Sequence, residues 1–312
     1  MMENIFKSIN ELKHEKNENA CVILGDSLKV LKYIKNNSID LIFADPPYGI
    51  GKDFGVTNDT WENINDYFYW CKIWIDECMR ILKYTGTMYF MASTQYMPIL
   101  DRYVDENYFV INRIIWTYDS SGVQSKRKFG SLYEPILMIT HNEKSNYTFN
   151  YDDILVEAKT GAQRQLMDYR KTPPQPYNTR KLPGNVWNFN RVRYKMEEYE
   201  NHPSQKPETL LKRIILTSSN TDEIILDPFS GSFTTAAVAL QLGRKAIGID
   251  NNLDYYKIGL RRTGISNVYE GEYLTKNREK KTNNKSKSDH DKILNRNEGV
   301  NLNERIYFVD IK

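Results

Sequence analysis

The stretch Ile39-Asp40-Leu41-Ile42-Phe43-Ala44-Asp45-Pro46-Pro47-Tyr48 places an apolar run directly before a proline-rich turn. Residues 40–44 are typical of a short buried strand. The two prolines cannot continue that strand, because each lacks a backbone N–H and has a restricted φ angle. Ligands of open α/β sheets bind where the chain turns at the carboxyl ends of strands. Asp45 and Tyr48 are therefore predicted to line a crevice.

The side chains of this turn suit an exocyclic amine on a flat heteroaromatic ring. Such an amine is a weak nucleophile, because its lone pair is conjugated with the ring. The Asp45 carboxylate and the Pro46 carbonyl would each accept one N–H, which favours a pyramidal nitrogen as an electrophile approaches. The Tyr48 ring would stack on the base. A bare D-P-P-Y tetrapeptide also fits a proline-rich surface turn, so the rest of the chain has to decide.

The composition bounds the class of protein. With 312 residues, 40% of them hydrophobic and 27% charged, the chain can bury a full core. No apolar stretch approaches the ~20 residues of a membrane span, and the N-terminus lacks a signal-peptide pattern, so we expect a cytoplasmic protein. Cys21, Cys71 and Cys78 are odd in number and form no C-x-x-C pair, which argues against disulfides or a zinc site. They are predicted to be buried thiols.

Strand and helix patterns alternate along the chain. Strands are predicted at 21–24, 40–44, 86–91, 110–117, 135–140, 224–226 and 246–249, and helices at 27–35, 64–82, 208–217 and 234–242. This alternation predicts an α/β fold with a doubly wound, mostly parallel sheet. The strands at 110–117 and 135–140 are expected to form an antiparallel pair.

A second constellation lies between a predicted strand and a predicted helix, at Asp227-Pro228-Phe229-Ser230-Gly231-Ser232-Phe233-Thr234-Thr235. Its small residues would let backbone N–H groups and the helix dipole approach a ligand carboxylate. One glycine is too few for the G-x-G-x-x-G that binds a pyrophosphate. Asp250 ends the next predicted strand, where an acid can hold two ribose hydroxyls. The pattern indicates a nucleoside cofactor without a diphosphate, although an ordinary strand-turn-helix with a surface aspartate is the alternative.

Taken together, these segments resemble the amino-methylating DNA methyltransferases of the permuted β class, over about residues 20 to 265. Three further stretches match: Gly25-Asp26-Ser27, His202-Pro203-Ser204-Gln205-Lys206-Pro207 and Leu210-Leu211-Lys212-Arg213-Ile214-Ile215. The resemblance implies a Rossmann-like methyltransferase fold with S-adenosylmethionine as cofactor. The residues that it implies for cofactor binding are Asp26, which would face the adenine, and Lys206, Asp227, Phe229, Gly231, Ser232, Thr234 and Asp250. Phe233 stands where much of the class has a second glycine. Phe-Thr-Thr occurs in the subgroup that the chain looks most like, the bacterial adenine methyltransferases that often lack a partner nuclease.

The D-P-P-Y order resembles N6-adenine enzymes, whereas cytosine-N4 enzymes more often have serine in place of Asp45. The resemblance implies methylation of an adenine flipped out of duplex DNA, with Asp45, Pro46, Pro47 and Tyr48 as the catalytic residues. Such a direct displacement needs alignment and acceptors, not a covalent nucleophile or a metal. The alternatives are cytosine-N4 methylation, methylation of RNA or of a protein glutamine, and a non-catalytic DNA-binding regulator on the same scaffold. The regulator would be expected to have lost acidic or aromatic site residues that this chain retains.

The segment from Lys159 to Lys195 concentrates positive charge, with nine basic residues against one acidic residue, Asp168. Aromatic residues are interleaved with them at Tyr169, Tyr177, Trp187, Phe189 and Tyr194, which suits contacts to phosphates and bases. A second basic loop spans residues 120–128. The predicted DNA-binding residues are Lys126, Arg127, Arg164, Arg170, Lys171, Arg180, Arg191 and Arg193. A basic stretch by itself is also typical of a solvated surface.

Four segments are predicted along the chain. Residues 1–141 form the catalytic half, 142–201 the target-recognition insert, 202–273 the cofactor-binding half and 274–312 a basic polar tail, in which residues 305–311 could form a terminal strand. His202 is interpreted as a turn-capping residue, and Trp61 and Trp116 as core residues. The sequence leaves open the recognition site, the oligomeric state, a homodimer included, and whether a restriction nuclease accompanies the enzyme.

Overall fold

The computed structural model describes residues 2–51, 59–119, 126–127, 129–158 and 166–266. The strands are β1 (Lys13–Lys16), β2 (Ala20–Leu24), β3 (Ile39–Ala44), β4 (Leu82–Met91), β5 (Phe109–Thr117), β6 (Tyr133–Thr140), β7 (Val156–Glu157), β8 (Met167–Asp168), β9 (Gln175–Pro176), β10 (Arg180–Lys181), β11 (Val186–Asn188), β12 (Ile224–Asp227) and β13 (Lys245–Asp250). The helices are α1 (Ser27–Leu31), α2 (Ile64–Ile81), α3 (Met97–Asn107), α4 (Glu208–Ser218), α5 (Thr234–Gln241) and α6 (Leu253–Arg262). Short 3₁₀ turns occur at Met2–Ile5, Ile9–Glu11 and Tyr151–Ile154.

Nine of the strands in the described residues form one mixed sheet in the order β1-β2-β13-β12-β3-β4-β6-β5-β11. The five strands from β2 to β4 in this order are parallel, which confirms the predicted doubly wound sheet. β6 runs antiparallel to both β4 and β5, so the predicted antiparallel pair is also confirmed. The predicted halves at 1–141 and 202–273 contribute strands to this same sheet.

Helices cover both faces of the sheet. Residues of α1, α2 and α3 pack into one hydrophobic core, and residues of α4, α5 and α6 pack into the other. β3 is buried along its whole length. Its side chains alternate between the two cores, with Ile42 and Ala44 in the first and Leu41 and Phe43 in the second. This two-sided burial explains why the strand reads as a continuous apolar run.

The order of strands reverses between β12 and β3. From β12 the chain passes through α5 to β13 on one side, and from β3 it passes through α2 to β4 on the other. A doubly wound sheet opens a crevice at such a switch point, outside the carboxyl ends of the strands. Asp227 is the last residue of β12, and Asp45 directly follows β3. The topology therefore brings together two motifs that lie far apart in the sequence.

The structure corrects several predicted elements. α1 ends at Leu31 because the following residues pair with the N-terminal segment: Ile34 bridges to Phe6, and Lys35 donates to the Ile5 carbonyl. α2 ends at Ile81, since Leu82 adopts an extended conformation and begins β4. α3 and the edge strands β1 and β11 were not predicted. No helix in the described residues is both long and apolar enough to span a bilayer.

The sequence pattern divided the chain into four segments, and the structure describes three of them. The described residues up to 266 fall in one compact unit, residues 1–268. The predicted tail at 274–312 and its terminal strand lie outside the described residues.

The three cysteines are buried and free, as predicted. Burial raises the pKa of the Cys21 and Cys71 thiols to about 12, so neither thiol is reactive at neutral pH.

Candidate active site

A cavity opens at the carboxyl edge of the sheet, at the switch point between β12 and β3. Every predicted catalytic and cofactor-binding residue lines this cavity: Asp26, Asp45, Pro46, Pro47, Tyr48, Lys206, Asp227, Phe229, Gly231, Ser232, Thr234 and Asp250. The residues come from the D-P-P-Y turn, the β12–α5 turn, the end of β13, the start of α1 and the segment before α4. One continuous site therefore holds both motifs.

The D-P-P-Y turn is held from the side by residues outside it. The backbone N–H of Tyr48 donates to Asp59 Oδ2 at 3.1 Å. The Tyr67 hydroxyl, from α2, donates to the Pro47 carbonyl at 3.3 Å. Gly49 has a φ of +68°, a conformation that favours glycine and lets the chain leave the turn. These contacts hold Asp45 and Tyr48 at the cavity wall.

Asp45 belongs to a cluster of charged and polar groups. Its Oδ2 lies 2.5 Å from Lys206 Nζ, and its Oδ1 accepts from the Tyr48 hydroxyl at 2.7 Å. Glu134, at the start of β6, places its Oε2 3.1 Å from the Tyr48 hydroxyl and 3.6 Å from Lys206 Nζ. The resemblance implied that Lys206 contacts the cofactor, and in the structure its ammonium pairs with the Asp45 carboxylate.

The protonation states in this cluster follow from burial and charge. Burial by itself would lower the pKa of Lys206, but the charges of Asp45 and Glu134 outweigh it and raise that pKa. Burial, and then the same two carboxylates, raise the pKa of Tyr48 well above its ordinary value. At neutral pH the site therefore holds a lysine cation and a neutral tyrosine hydroxyl, and both of them donate to Asp45.

Asp227 is the acidic residue of the β12–α5 turn, and it is buried. Its Oδ1 accepts from the Phe229 N–H at 3.0 Å and its Oδ2 from the Thr235 hydroxyl at 2.5 Å. Burial raises its pKa to about 7, although both hydrogen bonds favour the ionised form. The Phe229 ring packs on the rings of Trp70 and Trp74, with centroid distances of 5.6 and 5.5 Å. The turn therefore presents a buried carboxyl group and a fixed aromatic ring to the cavity.

Gly231 links this turn to Asp250. Gly231 has a φ of +50°, and a Cβ there would lie 2.7 Å from His202 Nε2, so a side chain does not fit. Its N–H donates to Asp250 Oδ2 at 2.8 Å, and Asn252 N–H donates to Asp250 Oδ1 at 2.8 Å. Burial raises the pKa of Asp250 to about 6. His202 Nδ1 accepts from the Ser204 N–H at 3.3 Å, in agreement with its predicted turn-capping role.

The remaining predicted cofactor-binding residues and Phe233 have different surroundings. Asp26 caps α1 by accepting the Lys29 N–H at 3.0 Å. Ser232 Oγ and Thr234 Oγ1 lie 3.0 Å apart. Phe233 is fully buried and is absent from the cavity lining. Its ring fills the space above Gly248 and Gly259, where an added Cβ would come within 2.5 and 2.7 Å of it. The departure at Phe233 therefore affects the core behind the turn and not the cavity wall.

Residues 156–181 contain two nested antiparallel ladders, β7 with β10 and β8 with β9. We call the described residues of this range, 156–158 and 166–181, the arm. Most of its described residues from 166 onward are exposed. Arg170 and Lys171 lie near its end; Arg170 pairs with Asp168 at 2.8 Å, and Lys171 Nζ lies 3.4 Å from Gln175 Oε1. Arg180, also exposed, lies on β10. Arg164 and Lys159 fall outside the described residues.

The other predicted DNA-binding residues that the structure describes lie on two segments outside the arm. Arg191 lines the cavity, with its guanidinium 4.9 Å from the centre of the Tyr118 ring. Arg193 pairs with Asp119 at 3.0 Å. Lys126 and Arg127 are exposed, in the chain between β5 and β6. Arg193, Lys126 and Arg127 are not part of the cavity lining.

The structure gives the surroundings of four aromatic residues that the sequence analysis named. Trp187 was expected to contact DNA, but it is 7% exposed in the core, and its Nε1–H donates to the Gly184 carbonyl. The Arg213 guanidinium lies 4.5 Å from the centre of the half-buried Phe189 ring. Trp116 is buried, as predicted. Trp61 is 36% exposed, so its assignment to the core was wrong: its ring packs against Tyr67 and Trp70 but stays partly open to solvent.

Sequence reasoning missed Glu134, Asp59 and Tyr67. None of them belongs to a local motif, and each reaches the site only because the sheet and α2 bring it there. The proline in Tyr133-Glu134-Pro135 is typical of the start of a strand, and the local sequence gives no sign of the contact between Glu134 and Lys206.

Comparisons with known proteins agree with this site. The DNA methylase family model, N6_N4_Mtase, matches residues 39–261. The DNA adenine methyltransferase YhdJ of Escherichia coli (strain K12) is 57% identical over 272 residues, which cover 87% of this chain and 92% of that protein. The type II methyltransferase M.HpaI of Haemophilus parainfluenzae is 38% identical, over 77% of this chain and 73% of the relative.

Solved structures show the same fold at low identity. The PvuII DNA methyltransferase (cytosine-N4-specific) aligns with a TM-score of 0.63 at 18% identity, over 85% of this chain and 93% of that one. The M1.HpyAVI–SAM complex aligns with a TM-score of 0.54 at 22% identity, over 77% and 96% of the two chains. The matched family model covers both motifs of the cavity, and the chain belongs to the N6_N4_Mtase family of DNA methylases.

Proposed function

We propose that this protein transfers a methyl group from S-adenosylmethionine to N6 of an adenine that is flipped out of duplex DNA. The observation that carries the proposal is the shared cavity, in which the Asp45 carboxylate and the Asp227–Asp250 turn line the same space. The 57% identity to a protein named DNA adenine methyltransferase supports adenine as the base.

The groups that line the cavity fit a nucleoside cofactor that carries an amino acid. Asp250, oriented by two backbone N–H groups, suits a pair of ribose hydroxyls. Phe229 offers a fixed aromatic surface. Position 231 is a glycine, and any side chain there would collide with His202. Bound S-adenosylmethionine supplies a methyl group on an electrophilic sulfonium. Asp26, Asp227, Ser232 and Thr234 complete the walls that would hold it.

The D-P-P-Y turn supplies the groups that the target base needs. An adenine inside the duplex stack cannot reach Asp45, so the nucleotide has to be extruded first. The Asp45 carboxylate and the Pro46 carbonyl then accept the two amine N–H groups, and Tyr48 contacts the ring. The nitrogen would gain the methyl group as the methyl–sulfur bond of the sulfonium breaks and a neutral thioether leaves, and one amine proton would then pass to an acceptor. Acceptors that are already in place would lower the barrier.

The arm is the segment that we propose for reading DNA. A two-stranded β-ribbon has the width to enter a major groove. The exposed cations near its end, Arg170 and Lys171, suit phosphates. Arg191 lies at the cavity and is positioned for the backbone of the extruded nucleotide.

Substitution of Asp45 by alanine tests the catalytic assignment. We expect Asp45→Ala to lower the rate of methyl transfer to DNA by at least about 100-fold, because the amine loses its charged acceptor. Its affinity for S-adenosylmethionine, measured by calorimetry, should stay within a few-fold of wild type. Asp105→Ala, which removes an exposed carboxylate on α3, serves as the matched control.

The product identifies the base. DNA methylated by the wild-type protein is digested to nucleosides, and the modified nucleoside is identified by mass. N6-methyladenine supports the proposal, and N4-methylcytosine would overturn the choice of base. Retained methylation by Asp45→Ala would overturn the role of the carboxylate.

A further inference from the structure

Both oxygens of the Asp45 carboxylate already accept hydrogen bonds from this chain. The Tyr48 hydroxyl donates to Oδ1 at 2.7 Å, and Lys206 Nζ lies 2.5 Å from Oδ2. A cation paired with a carboxylate also makes that carboxylate a weaker acceptor for a neutral N–H. An incoming amine therefore competes with two groups that are permanent parts of the site.

Glu134 stands within reach of the same two donors. Its Oε2 lies 3.1 Å from the Tyr48 hydroxyl and 3.6 Å from Lys206 Nζ. The Glu134 side chain is 18% exposed and the Lys206 side chain 7% exposed. Since charge-assisted N–H···O contacts are about 2.8 Å long, the ammonium has to move by only about 1 Å to pair with Glu134.

We propose that Glu134 is a positioning residue that receives Lys206 and the Tyr48 hydroxyl when the adenine amine docks on Asp45. The inference rests on the proposed function of the site. Asp45 is then free to accept the amine, while the buried lysine cation keeps a carboxylate partner throughout. Without Glu134, docking would leave Lys206 in a site of low exposure without a full counter-charge, which is strongly unfavourable.

The charges of the cavity agree with such a transfer. Lys206 faces the carboxylates of Asp45 and Glu134, and the charge of Arg191 acts on it from the same space. Glu134→Gln would remove one of these two carboxylates and would tighten the Lys206–Asp45 pair. The predicted consequence is weaker recognition of the amine, with no loss of cofactor binding, because Glu134 lies on β6, away from the β12–α5 turn.

A double-mutant cycle tests the proposal on the full chain. Glu134→Gln in the wild-type background is expected to lower the methylation rate at least tenfold, with S-adenosylmethionine affinity unchanged. In the Lys206→Met background the same substitution should cost less than twofold, because no lysine remains to be transferred. Equal costs in both backgrounds would show a merely structural role and overturn the proposal. Glu106→Gln, an exposed glutamate paired with Arg102 on α3, is the control and should change neither quantity.

A binding measurement removes the dependence on turnover. The dissociation constant is compared for duplexes that carry adenine or purine, which lacks the 6-amino group, at the methylated position. Glu134→Gln should reduce the preference for adenine at least threefold in the wild-type background and leave it unchanged in the Lys206→Met background. An unchanged preference in both backgrounds contradicts the proposal. If the wild-type protein forms no N6-methyladenine, the proposed function fails separately from this inference.

Discussion

At the scale of single residues, Asp227 connects the site to the stability of the fold. Burial raises its pKa from 3.8 to about 7. The unfolded chain loses this proton near pH 4, whereas the folded protein keeps it to about pH 7. Folding therefore takes up a proton between these pH values. The contribution of Asp227 to the free energy of unfolding is fully present below about pH 4 and falls as the pH rises towards 7. Asp250, with its pKa of about 6, acts in the same direction.

Asp227→Asn removes the larger of these two titrations. Between pH 4.5 and 7.5, we expect the free energy of unfolding of the cofactor-free variant to fall by less than that of the cofactor-free wild type. The difference should be on the order of 2–4 kcal/mol, because a tenfold change in proton affinity corresponds to about 1.4 kcal/mol. Unfolding in urea, measured across this pH range, checks the slope. A slope identical to that of wild type would mean that Asp227 is ionised well below pH 7.

Single residues also show what sequence reasoning reaches. Asp45, Tyr48 and Asp227 were predicted because each lies in a local motif with proline or glycine beside it. Glu134 was not predicted, because its importance depends on the distance of 3.6 Å between its Oε2 and Lys206 Nζ. No spacing in the sequence encodes that distance. Lys206 was found by its motif, but its contact with Asp45 depends on the packing of the segment before α4.

At the scale of elements, the β12–α5 turn is supported from behind by one aromatic side chain. Phe233 has a φ of +55° and no solvent exposure. It fills the space that Gly248 on β13 and Gly259 on α6 leave open. The three residues form an interlocked contact between a strand and two helices, which accounts for the second phenylalanine of this turn.

Phe233→Ala is therefore a core substitution and not a change of the cavity wall. We expect it to lower the free energy of unfolding by about 3–5 kcal/mol, as is usual when a buried ring is removed. Affinity for S-adenosylmethionine, measured well below the melting temperature, should fall by less than about fivefold. Phe233→Leu keeps most of the volume and should cost much less stability. A large loss of cofactor affinity without a loss of stability would place the ring at the cavity instead.

Elements with a strong pattern were predicted, and elements that depend on tertiary contacts were not. The buried run of β3 and the amphipathic α2 specify themselves through burial. β11 has three residues and exists because Trp187 pairs with Trp116 of β5 and packs into the core. β1 consists of the polar residues Lys13–Lys16, and it forms a strand only because β2 offers it an edge.

At the scale of the whole molecule, the sheet order could be predicted only as a class. Alternating strands and helices indicate a doubly wound sheet, but the reversal between β12 and β3 joins segments from opposite ends of the described chain. The family resemblance supplied what the periodicity did not, namely that both motifs serve one site. The cations that we propose for DNA binding lie on separate segments, Lys171 on the arm and Arg191 at the cavity, so substitutions can test their contributions one at a time.

The dependence of DNA affinity on salt measures how many of these cations contact phosphates. Each phosphate contact contributes about 0.9 to the slope of log K against log salt concentration. We expect Lys171→Ala to reduce the magnitude of the slope by about 1 and to weaken binding to all sequences alike. Arg170→Ala should reduce it by less, because the Arg170 guanidinium is already paired with Asp168 at 2.8 Å.

Lys35→Ala provides the control for this measurement. Lys35 is exposed, but it precedes β3 and therefore lies at the amino edge of the sheet, opposite the cavity. Its removal changes the net charge of the protein by the same amount as Lys171→Ala, yet the slope should stay at the wild-type value. If both lysines alter the slope equally, DNA responds to the overall charge of the molecule and the arm is not its binding surface. If Lys171→Ala alone alters the slope, the arm contacts the phosphate backbone directly.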